Sequence, residues 1–139
     1  MDIRYQRHLD GVDWAEMKEA VAADDFDNGR TPEQLRLSFT NSYASCIAYH
    51  EGKIIGTARL LSDGVCNAYI VDVWTMRRYR HRGIATRMME TLLGELPGQH
   101  VYLFTSRETM PFYQKLGFVP QGVGMSRVVG RWLSGGAAD

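Results

Sequence analysis

Cysteine is scarce in this chain, and an excess of either charge is absent. Only Cys46 and Cys66 occur, with no C-x-x-C pair and no metal-ligand spacing toward the four histidines. That argues against a disulfide scaffold and against a zinc site, so no metal is expected and the thiols read as reduced, in a cytoplasmic protein. Sixteen basic and sixteen acidic side chains cancel. A chain built to coat nucleic acid or an anionic membrane carries surplus lysine and arginine, so neither is expected as a partner. No apolar run reaches the length that spans a bilayer, and MDIRYQRHLDG lacks the apolar core of a signal peptide. No internal repeat is visible. What is present is ordinary for a globular domain: 139 residues, 45% hydrophobic and 23% charged, enough to enclose one core.

Hydrophobic spacing divides the chain into elements. Residues 1–8 suit a first strand. Val12, Ala15, Met17, Ala20 and Val21 recur at helical spacing behind Asp13, a natural cap. Asp24 to Gly29 break that helix. Thr31-Pro32-Glu33-Gln34 starts another, with threonine at the cap, proline at the first helical position and glutamine as the reciprocal capping partner. Residues 43–49 and 54–61 form a hairpin around His50-Glu51-Gly52-Lys53, and 68–75 is β-branched and aromatic, as a central strand is. Ile84, Ala85, Met88, Met89, Leu92, Leu93 and Leu96 make one apolar helical stripe, ended by Pro97-Gly98. A short apolar strand (101–104), a short helix (111–116) and two strands (118–121 and 125–129) follow. The order is β-α-α-β-β-β-α-β-α-β-β, an α/β chain with a mixed (α+β) sheet. One domain is expected over 1–133, with SGGAAD (134–139) as a flexible tail.

The junction between the central strand and the long helix reads Thr75-Met76-Arg77-Arg78-Tyr79-Arg80-His81-Arg82-Gly83-Ile84-Ala85-Thr86. Unpaired N–H groups in the first turn of a helix bind anions, helped by the helix dipole. Gly83 lets a phosphate approach the backbone, Ala85 keeps the next approach small, and Thr86 adds a hydroxyl. Neither G-x-x-x-x-G-K-[ST] nor G-x-G-x-x-G is present, so this is not a Walker loop or a dinucleotide fingerprint. On its own the segment reads equally as a solvated basic turn. A nucleic-acid contact through Arg77, Arg78, Arg80 and Arg82 lacks further basic stripes to support it.

Arg80-x-x-Gly83-x-Ala85, placed between strand and helix, resembles the R/Q-x-x-G-x-G/A pyrophosphate signature of the GNAT superfamily of N-acetyltransferases. Pro111-Phe112-Tyr113-Gln114-Lys115-Leu116-Gly117-Phe118 resembles the segment near the end of the same domains. The resemblance is strongest from Ala68 to Gly130. It implies a single GNAT-type acyl-CoA N-acyltransferase domain that moves acetyl from acetyl-CoA to a primary amine by direct attack in a ternary complex. It places acetyl-CoA, as co-substrate, against Val73, Trp74, Thr75, Arg80, His81, Arg82, Gly83, Ile84, Ala85, Thr86, Ser106 and Tyr113. Ser106 stands where the family often has asparagine, which leaves that contact in doubt. Tyr113 is implied as the general acid for the departing thiolate, since a phenol titrating near about 10 can protonate a thiolate titrating near about 8.5.

Asp72 interrupts the run Tyr69-Ile70-Val71-Asp72-Val73-Trp74. A carboxylate is costly to bury unless paired or solvated. It is either the catalytic base at a cleft wall or a structural aspartate bonded to a loop N–H or an arginine. Glu108 is a second acid/base candidate by proximity. A cysteine-linked acetyl-enzyme lacks a histidine partner for either thiol.

The acceptor is nearly unmarked. Asp24, Asp25 and Asp27 form an acidic cluster that either attracts a cationic amine or is a solvated loop. Tyr43, Tyr69 and Trp74 line an apolar pocket or belong to the core. A small-molecule amine is expected first and a protein amine second, and a homodimer is common in the family. An acyl-CoA-sensing module without turnover and a transferase of longer acyl groups are the alternatives.

Overall fold

The computed structural model describes residues 1–127. The end of the expected 125–129 strand, the boundary at 133 and the 134–139 tail lie outside them. The chain divides into two compact units, Met1–Leu103 and Phe104–Asp139.

The first unit holds β1 (Ile3–Gln6), α1 (Trp14–Ala23), α2 (Pro32–Thr40), β2 (Ala44–His50), β3 (Lys53–Ser62), β4 (Asn67–Thr75), a 3-10 turn (Arg77–Tyr79), α3 (Ile84–Leu93) and β5 (His100–Tyr102). The sheet runs β1-β2-β3-β4-β5, antiparallel up to β4 and parallel between β4 and β5. α3 is therefore the crossover of a β-α-β unit.

Local chemistry sets the helix starts. Asp13 accepts the Glu16 amide at 3.0 Å. Thr31 accepts the Gln34 amide at 3.1 Å while the Gln34 side chain accepts the Thr31 amide at 2.9 Å, a complete capping box. After α1 the chain turns back through Asp25 and Asn28, both at positive φ, and Gly29.

Alternation along β2 separates the two sides of the sheet. Ile47 and Tyr49 enter a buried cluster with Met17, Val21, Leu35, Phe39, Ile54 and Trp74. Ala48 faces the other way, next to Gly56 and Met88 of α3. α1 and α2 thus cover one face and α3 the other. A Cβ on Gly56 would lie 3.1 Å from Met88 Cε and 3.2 Å from the Trp74 carbonyl, so glycine admits the close packing there.

Two register shifts bend the sheet. In β3 the pairing passes from Ala48↔Gly56 to Tyr49↔Ile54, leaving Ile55 extra. The Ile54 amide there donates to Glu16 Oε2 at 2.7 Å. In β4 it passes from Arg59↔Val71 to Thr57↔Trp74, so Asp72 and Val73 together face Ala58. Asp72 takes φ +54°, and its carbonyl accepts from Thr57 Oγ1 at 2.9 Å.

The second unit contains α4 (Met110–Lys115). It ends in a Schellman motif: Gly117 at φ +96°, the Phe118 amide on the Tyr113 carbonyl at 3.1 Å, and the Gly117 amide on the Gln114 carbonyl at 3.0 Å. Phe118 packs edge-on against the Tyr113 ring, completing the motif's apolar contact.

The described end of the chain departs from the expected order. The last strand of the sheet is His100–Tyr102 instead of 101–104, and 118–121 is not a strand. Neither is 125–127, the described part of the strand expected at 125–129. Pro120 has no amide to donate, and Gly117 and Gly122 flank the segment at positive φ.

Candidate active site

β4 gives the site its frame. On one side it pairs with β3 along most of its length. On the other it pairs with β5 only through Asn67↔His100, Ala68↔Val101 and Tyr69↔Tyr102. From Ile70 to Thr75 that edge has no strand partner among the described residues, and strand backbone groups require one. At its end Thr75 Oγ1 is buried with no hydrogen-bond partner among the described residues, so an unmet polar group lies where this edge runs into the basic loop.

The loop is tied down at several points. The Met76 amide donates to the Ile55 carbonyl at 2.8 Å. Tyr79 is buried, and its hydroxyl lies 2.7 Å from His50 Nδ1. Arg80 Nε donates to the Thr75 carbonyl at 2.9 Å, and another guanidinium nitrogen lies 3.6 Å from Asp24. His81 and Gly83 both take positive φ. Arg77, Arg78, Arg80, His81, Arg82 and Gly83 are exposed. Gly83 occupies the cap of α3 in the left-handed region, and no side chain caps the helix. The first-turn amides behind it therefore make no bond to a cap side chain, while Ile84 buries its side chain and anchors the turn.

The structure thus brings Val73, Trp74, Thr75, Arg80, His81, Arg82, Gly83, Ile84, Ala85 and Thr86 onto one continuous strand–loop–helix path in the first unit. Within this set, Trp74 and Ile84 have core side chains and can offer only backbone. The Trp74 indole donates to Asp24 at 2.8 Å. Ser106 and Tyr113 belong to the second unit. The Ser106 hydroxyl is engaged locally, 3.0 Å from the Thr109 hydroxyl. Burial raises the Tyr113 phenol pKa.

Of the two readings of Asp72, the geometry gives the ion-paired one. Arg30 grips its two oxygens at 2.8 and 3.0 Å, and Arg59 Nε adds a third bond at 2.6 Å. Burial works to raise the Asp72 pKa, but the Arg30 and Arg59 guanidiniums outweigh it and hold it below the ordinary carboxylate value. A carboxylate so engaged is a poor proton acceptor.

The acidic cluster is also largely consumed: Asp24 serves Trp74 and Arg80, Asp27 pairs with Lys18, and only Asp25 is exposed. Trp74 is core, whereas Tyr43 is exposed and packs against Gly64. Burial pushes the Cys46 thiol up to about 11, so it is a poor nucleophile.

Sequence reasoning missed Arg30 and Arg59. The only signals were a lone arginine before the Thr31 cap and a charge inside the apolar run of β3. Both acquire meaning from partners distant in sequence.

Residues 12–118 match the model of the Acetyltransferase (GNAT) family. A GCN5-related N-acetyltransferase 2, chloroplastic, of Arabidopsis thaliana is 36% identical over 78 residues, 52% of this chain and 30% of the relative. An uncharacterized N-acetyltransferase, ycf52, of Gracilaria tenuistipitata var. liui is 27% identical over 103 residues, 68% of this chain and 57% of the relative. The chain thus spans about a third and just over half of the length of these two relatives. A candidate acetyltransferase of Deinococcus radiodurans R1 superposes with a TM-score of 0.81 at 26% identity, covering 91% of this chain and 88% of that one.

Proposed function

The chain belongs to the GNAT acetyltransferase family, and from that premise we propose that it moves acetyl from acetyl-CoA to a primary amine by direct attack in a ternary complex. The observation that carries this reading is the edge of β4, without a strand partner among the described residues, leading into the glycine-capped start of α3. The residues present fit the co-substrate. An extended chain with amide groups can pair with the Ile70–Thr75 edge, and the unmatched Thr75 hydroxyl adds one more polar contact. A pyrophosphate fits the amides behind Gly83, with Arg82 adding positive charge and His81 beside it on the same loop.

Within this reading a backbone N–H near Val73 or Trp74 polarises the thioester carbonyl. The β4 bulge aims that part of the strand, and Asp72 fixes the bulge through Arg30 and Arg59 instead of removing a proton. Tyr113 acts as general acid toward the leaving thiolate. Its raised pKa keeps the phenol protonated through neutral pH, the form an acid requires. The two cysteines are free, consistent with the cytoplasm as the proposed compartment. Among the described residues no helix is long and apolar enough to cross a membrane.

The test is CoA-thiol release with acetyl-CoA and a panel of primary amines, varying both substrates. Direct transfer predicts intersecting double-reciprocal lines and amine-dependent release. Parallel lines would indicate an acetyl-enzyme. Tight acetyl-CoA binding without release for any amine would favour the sensing module. Turnover that rises with acyl length would favour the longer-chain transferase.

A further inference from the structure

Resting on the transferase reading, we infer that the acceptor amine carries an oxyanion, a carboxylate or a phosphate ester, which docks on the Arg30–Arg59 pair.

Asp72 and Trp74 belong to the face of the sheet covered by α1 and α2, and α3 lies on the opposite face. If the phosphates of the co-substrate sit at the start of α3, the side left for the amine is the α1–α2 side of the β4 edge. That is where the arginine pair lies.

The pair is out of balance. Two guanidiniums, with side chains 16% and 13% exposed, face one carboxylate, itself 16% exposed. The neighbouring charges cancel among themselves: Lys18 with Asp27, and Arg80 with Asp24. Across the ion pairs among the described residues one positive charge is left over in a poorly solvated place, and such a charge favours an anionic partner. Donors are left over as well. Arg30 uses three bonds, on Asp72 and the Asp27 carbonyl, and Arg59 uses three, on Asp72, Ser42 and the Ser38 carbonyl. Each guanidinium has about five N–H donors, so both retain some among the described residues. Planar donor forks of this kind match carboxylate and phosphate oxygens.

Arg30 also lines an open groove of about 460 Å³ against α2, together with Asn28, Gln34, Ser38 and Asn41. These side chains offer neutral hydrogen bonds, and among the described residues the lining includes no aspartate or glutamate. A polycationic acceptor would find no counter-charge there, whereas an amino acid or a phosphorylated amine would find one.

The experiment compares matched amines with the full chain and acetyl-CoA: amino acids against their amides, O-phosphoethanolamine against ethanolamine, and spermidine as a cationic arm. The anionic member of a pair is expected to win by on the order of a hundredfold in kcat/KM. The winning arm separates carboxylate from phosphate. Arg30→Gln and Arg59→Gln should erase the preference, read as the kcat/KM ratio within each matched pair so that any effect of the β4 bulge on acetyl-CoA cancels. If either variant fails to fold, inhibition of the wild type by amine-free glutarate or inorganic phosphate gives the same answer, expected to be competitive against the amine. Equal or better use of the amides, ethanolamine or spermidine overturns the inference and leaves the transferase reading intact. Failure to bind acetyl-CoA in a parallel titration would instead remove the reading itself, and the inference with it.

Discussion

Single side chains divide here between chemistry and support. Tyr113→Phe removes the proposed acid while keeping the ring that packs on Phe118. Its kcat is expected to fall by about a hundredfold with acetyl-CoA affinity unchanged. An unchanged kcat would return Tyr113 to a packing role. Asp72 is expected to affect stability first. Asp72→Ala leaves two half-buried guanidiniums facing each other and should cost about 2–3 kcal/mol, read by urea unfolding. The sign of its pH dependence follows from its depressed pKa. Its contribution is fully present above the unfolded carboxylate value of about 4 and is lost as pH falls through the lower folded value. Asp72→Ala should therefore flatten the acid limb of the wild-type stability curve. Because Asp72 is not the base in this account, the alkaline rise of activity should follow the ionisation of the amine itself. Acceptors of different pKa should give shifted profiles, and one fixed profile for all of them would point to a protein base.

At the scale of elements, the capping box of α2 and the start of α3 make contrasting predictions. Thr31→Ala should cost about 1 kcal/mol and lower Tm by a few degrees, with acetyl-CoA binding untouched, because the cap only positions the helix. Gly83 is required for its backbone: at φ +80° a side chain is strained although nothing crowds the space around it. The caps, the α3 stripe and the Arg80–Ala85 pattern were legible in the sequence because each is local, set by neighbours within a turn or two. The bulge at Asp72 was not, since it depends on register against β3. The 118–121 segment looked like a strand by its apolar residues, but Pro120 and two positive-φ glycines outweigh them. Arg30 and Arg59 reach Asp72 across 42 and 13 positions, a pairing that no window of sequence displays.

Across the molecule, the zero net charge conceals an uneven distribution. The loop before α3 exposes arginines on one path, while the α1–α2 face holds its charges in pairs with one cation over. The proposed function divides the work along the same lines: the edge of β4 presents backbone, the start of α3 is the proposed phosphate site on one face of the sheet, and α1 and α2 form a charged wall on the other. In the proposed function Gly83 and the helix behind it hold the phosphates of acetyl-CoA. The most direct measurement is a calorimetric titration with acetyl-CoA of the wild type and of Gly83→Glu, whose folding is checked by circular dichroism. Micromolar binding is expected for the wild type and none for the folded variant. Equal binding by both would contradict it.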